Sequence, residues 1–142
     1  MLVFYNIFGK SDAKLEMIGI DTIFGINEDF LAMVPSASSI KGDARNLQQY
    51  IKSPVDLIVN SNAQVVHPVD GWDSDIEATL RTMHKVHRQG GLVLHTFYSE
   101  AEATRTKNLL KANYNVKVCE QNKHRVPEIS PRHEYVVLGI RK

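Results

Sequence analysis

Residues 38–62, SSIKGDARNLQQYIKSPVDLIVNSN, decide the reading of the fold. They hold two short strand-like runs, 39–41 and 55–59, separated by a helical turn or two at 44–51. Each run ends in polar residues: Gly42-Asp43 after the first, Asn60-Ser61-Asn62 after the second. The segment LEMIGID (15–21) repeats the pattern and ends on Asp21. Strands that alternate with helices and turn polar at their carboxyl ends are the pattern of an α/β sheet with a ligand crevice at that edge.

Working outward, residues 73–88 carry Ile76, Leu80, Met83 and His87 at helical spacing, with Asp73 or Ser74 as cap and Gly90-Gly91 to close the end. Residues 92–97 read as a strand. Ser99 caps a helix over 100–112, and Glu102 completes a capping box. A strand over 116–120, a polar loop over 121–133 and a last strand over 134–140 follow; the last two strands form an antiparallel edge pair. At the other end, 2–8 is β-branched and aromatic, and the link 9–14 is too short for a parallel crossover. The first two strands therefore form an antiparallel hairpin, or the first lies elsewhere. Residues 26–34 form a short helix stopped by Pro35. The expected fold is a single α/β domain over 1–142: a Rossmann-like three-layer sandwich with a mostly parallel sheet, an antiparallel C-terminal edge and an N-terminal hairpin.

Bulk properties narrow the function classes. The formal charge of +1 sets up no global field for nucleic acid or membrane. A lone cysteine, Cys119, excludes an internal disulfide and fits a reducing compartment. No apolar run reaches the roughly 18 residues of a membrane helix. MLVFYNIFGK lacks a basic lead and a cleavage site and reads as a strand, so the expected location is the cytoplasm.

Several residues carry candidate chemistry. Asp21 at a strand end suits ribose hydroxyls, or caps a turn. The carboxylate or backbone of Asp43 suits an adenine amino group, or Asp43 forms an Asx turn after Gly42. Asn60 and Asn62 follow the most buried strand and are placed to meet a ligand. Trp72 suits stacking on a base or a staple onto the next helix. His95 breaks the strand LVLHTF and is either a hydrogen-bonded core residue or a general base. His84 and His87, one turn apart, lack the further ligands zinc needs, so no metal is expected. Lys123, His124, Arg125 and Arg132 form a basic loop suited to phosphates. FGKSD (8–12) lacks the upstream glycine of a P-loop.

From Met17 to Lys142 the chain resembles class I S-adenosylmethionine-dependent methyltransferases, and among them the FtsJ-like RNA ribose 2′-O-methyltransferases. The matching stretches are IGID (18–21), IKGDARNL (40–47), VDLIVNSNA (55–63), QGGLVLHTF (89–97) and SPRHEYVVLGIRK (130–142). The resemblance implies S-adenosylmethionine as cofactor, bound through Asp21, Asp43, Ala44 and Asn60, and an RNA or small-molecule acceptor. Of that family's Lys-Asp-Lys-Glu tetrad only Glu134 is kept. Asn62 and His95 stand at the aspartate and second lysine positions, and the first lysine and the glycine-rich loop have no counterpart. Two readings follow: an enzyme whose site a second copy or partner chain completes, or a catalytically degenerate adaptor subunit. Residues 39–63 also resemble the start of a macro domain, which binds ADP-ribose.

Overall fold

The computed structural model describes residues 2–6, 16–21, 37–61, 72–123 and 134–142. Seven strands form one sheet: β1 (Leu2–Asn6), β2 (Glu16–Asp21), β3 (Ala37–Lys41), β4 (Val55–Ser61), β5 (His87–Phe97), β6 (Tyr114–Gln121) and β7 (Tyr135–Arg141). Their order is β3-β2-β1-β4-β5-β7-β6. A 3₁₀ turn at Ala44–Asn46 leads into α1 (Leu47–Tyr50). The longer helices are α2 (Trp72–Thr82) and α3 (Glu100–Leu110).

The expected mixture of α and β holds, but the sheet is not mostly parallel. Only β2–β3 and β4–β5 pair in parallel; the remaining neighbours are antiparallel. The cause is β1. A short link ties it to β2 as a hairpin, with Leu2 opposite Ile20 and Asn6 opposite Glu16. β1 then inserts between β2 and β4 and runs against both. The hairpin and the antiparallel β6–β7 edge are as expected.

The core lies on one face. The buried strand residues Ile58, Asn60, Val93, His95, Phe97 and Val137 share a face by their cross-strand register. α3 packs on β5, β6 and β7 and contributes Ala103 and Leu110; α2 contributes Leu80 and touches both α3 and the 3₁₀ turn before α1. These helices therefore form one layer. A second helical layer, which a three-layer sandwich requires, is not seen among the described residues; the expected 26–34 helix lies outside them. The opposite sheet face carries Leu57, Val59, Leu94, Val136, Leu138 and Ile140, all half-buried, and Leu92, which is 41% exposed.

Two boundaries differ from expectation. The 73–88 helix stops at Thr82, continues as a 3₁₀ turn over Met83–Lys85, and gives way to β5 at His87. Gly90, at φ +79°, does not close the helix; it sits inside β5, where the register shifts from Val55–His87 to Leu57–Leu92. Glycine adopts that φ without the cost of a Cβ, which lets β5 carry extra residues as a bulge. His87 thus leaves the helix face for the sheet. Its Nδ1 lies 3.1 Å from the Tyr114 hydroxyl and its Nε2 3.3 Å from the Asp56 carbonyl. By contrast α3 starts as expected: Ser99 and Glu102 form a reciprocal capping box.

Candidate functional site at the strand ends

β2, β3, β4 and β5 point the same way, so their carboxyl ends share one edge of the sheet. Asp21 is the last residue of β2 and pairs with Lys41, the last of β3; Gly42 and Asp43 follow at once. Asn60 lies near the end of β4, between Leu2 and His95. Glu134 directly precedes β7, whose first residue pairs with Phe97 at the end of β5. One edge therefore collects Asp21, Asp43, Ala44, Asn60 and Glu134. Asn62 lies outside the described residues, as do His124, Arg125 and Arg132.

Asp43 is firmly engaged. Its Oδ1 accepts from the Arg45 backbone N–H at 2.9 Å, its Oδ2 from Arg45 Nε at 2.7 Å. This makes it the N-cap of the 3₁₀ turn, and the Arg45 hydrogen bond holds its carboxyl below the usual aspartate value. Its own N–H donates to the Tyr50 hydroxyl at 3.3 Å. Ala44, half-buried, opens that turn. Of the two readings of Asp43 from sequence, the turn former is the one visibly formed. Arg45 and Tyr50 escaped the sequence reading. The available signal was the Gly-Asp-X-Arg spacing, which lets an Asx turn recruit the arginine.

His95 departs furthest from the role of a base. It is fully buried, its ring stacks on Phe97 at 5.9 Å between centroids, and neither ring nitrogen has a hydrogen-bond partner. Burial without a partner penalises the cation and pushes its pKa down to about 3. The ring is thus neutral at physiological pH and screened from solvent. Asn60, its neighbour across β4–β5, is also buried, at 5% exposure.

One component of a nucleotide crevice is differently built. In an open α/β sheet the ligand sits where the strand order reverses, here between β1 and β4, outside the carboxyl ends. The reversed β1 brings its amino end to that point and its carboxyl end to the opposite edge. No strand-to-helix turn stands there among the described residues. Nor do those residues gather three His, Cys, Asp or Glu side chains around a metal position. No described helix is long and apolar enough to cross a membrane.

No protein-family profile and no curated protein matches the sequence. Solved structures do. An rRNA methylase from Streptococcus thermophilus superposes with a TM-score of 0.59 at 10% identity, over 87% of this chain and 72% of its own. The N-methyltransferase NodS from Bradyrhizobium japonicum, in complex with S-adenosylhomocysteine, gives 0.57 at 14%, over 88% and 65%. A TehB-like S-adenosylmethionine-dependent methyltransferase from Corynebacterium glutamicum gives 0.58 at 15%, over 88% and 67%. At these identities the likeness is one of fold: the chain has a methyltransferase-like α/β fold.

Proposed function

We propose that this chain is an S-adenosylmethionine-binding, methyltransferase-like domain that acts on RNA or on a small-molecule acceptor. The observation that carries the reading is the adjacency of the Asp21 and Asp43 strand ends on the edge where such folds bind ligands. Asp21 would take the ribose hydroxyls. The Asp43–Ala44 turn and Asn60 would line the adenosine, with Glu134 and Asn62 toward the acceptor. Bound S-adenosylmethionine supplies an electrophilic methyl group. The protein's part is then chiefly alignment, which does not call on the buried His95 as a base. His95 we assign to supporting the end of β4 rather than to proton transfer, in keeping with its burial and low pKa.

The described residues fit the adenosine half of the cofactor better than the amino-acid half, because none of them forms a strand-to-helix turn at the switch point. A second copy or a partner chain would complete it. The reversal of β1 favours a second reading, a non-catalytic adaptor. Calorimetry with S-adenosylhomocysteine and ADP-ribose, followed by transfer of labelled methyl to RNA and small-molecule pools, separates them. Binding with transfer supports the enzyme. Absence of both supports the adaptor, and binding of ADP-ribose alone would replace both readings.

A further inference from the structure

Just past β3 all three polar groups of Asp43 are engaged, the carboxylate by Arg45, the N–H by the Tyr50 hydroxyl and the carbonyl by the Asn46 N–H. The Tyr50 hydroxyl oxygen accepts the Asp43 N–H, which leaves its own proton to donate. Among the described residues no acceptor takes that proton. The phenol is also held in place. Gly42 lies directly against it: a Cβ on Gly42 would stand 2.5 Å from Tyr50 Cζ and 2.8 Å from the hydroxyl oxygen. The next residue in the chain, Ile51, is fixed in the core at 5% exposure, and Tyr50 itself packs against that core. The half-buried Tyr50 is thus a firmly mounted donor beside the sheet edge that holds Asp21, Asp43 and Asn60.

We infer that Tyr50 is the base-reading residue of the adenosine site. Its hydroxyl donates to a purine ring nitrogen, N1 of adenine, a part that the amide of Asp43, already donating to Tyr50, does not play. The inference rests on the adenosine-binding reading given above. A brace that only held the β3–α1 turn would affect stability and leave nucleoside discrimination unchanged.

The test compares adenosine with 1-deazaadenosine, which lacks the N1 acceptor, by calorimetry on the full chain and on Tyr50→Phe. The full chain should bind adenosine about fivefold more tightly than the deaza analogue, the usual worth of one neutral hydrogen bond. Tyr50→Phe should lose about that factor for adenosine and bind both nucleosides alike. Equal binding of the two nucleosides by the unaltered chain overturns the inference even if the variant misfolds. So does a Tyr50→Phe protein that still discriminates. If the unaltered chain binds neither adenosine nor S-adenosylhomocysteine, the adenosine reading itself fails, and the role of Tyr50 with it.

Discussion

Replacing His95 with leucine should make the chain less sensitive to mild acid. Burial holds the folded-state pKa of His95 at about 3, against 6.5 for a solvent-exposed imidazole. Below pH 6.5 the unfolded chain therefore binds a proton that the folded chain refuses. Stability is complete above pH 6.5 and is lost steadily as pH falls from there toward 3. The loss at pH 5, taken from these two values, is about 2 kcal/mol for this one side chain. Leucine fills a similar volume and brings no buried ring nitrogens without partners, so His95→Leu should be at least as stable as the parent at pH 7.5. Urea unfolding of both proteins at pH 7.5 and 5.0 measures the difference. The parent should lose about 2 kcal/mol more than the variant between those pH values. Parallel losses would refute the account, because His95 would then be hydrated or partnered in solution.

Asp21→Ala should weaken S-adenosylhomocysteine binding by about 1–3 kcal/mol, the worth of hydrogen bonds to a charged group, read by calorimetry. Gly91→Ala should lower the thermal midpoint, since its Cβ would stand 2.5 Å from His87 Nε2 and 2.8 Å from the Asp56 carbonyl oxygen; a loss of about 1–3 kcal/mol is expected from such overpacking. Ser99→Ala breaks the capping box of α3 and should cost about 1 kcal/mol in urea titration, with m unchanged.

Local rules carried much of the fold. The Ser99–Glu102 spacing gave the start of α3, and the short link after β1 gave the hairpin. The consequence of that hairpin was not legible. Nothing local says that β1 inserts between β2 and β4, a pairing about fifty residues apart in the chain, and so turns its neighbours antiparallel. The start of β5 was hidden for a similar reason. His87 continues the apolar spacing of α2, but its environment is set by Tyr114 and Asp56 from distant strands. For the site, the strand-end aspartates were visible because Asp follows each apolar run. The burial of His95 was not, since alternation along β5 cannot tell which face the helices cover.

The direction of β1 also has a practical side for anyone handling the molecule. Whatever chain is joined ahead of Leu2 leaves the sheet beside Asn60, at the edge that holds Asp21 and Asp43. β7 runs the same way as β1, so its carboxyl end delivers Lys142 to the opposite edge, where the Lys142 backbone N–H donates to the Asn113 carbonyl. An affinity tag or fused reporter at the amino end would crowd the candidate site at that edge, whereas one at the carboxyl end would hang clear of it. Binding measurements on this chain belong with carboxyl-terminal fusions.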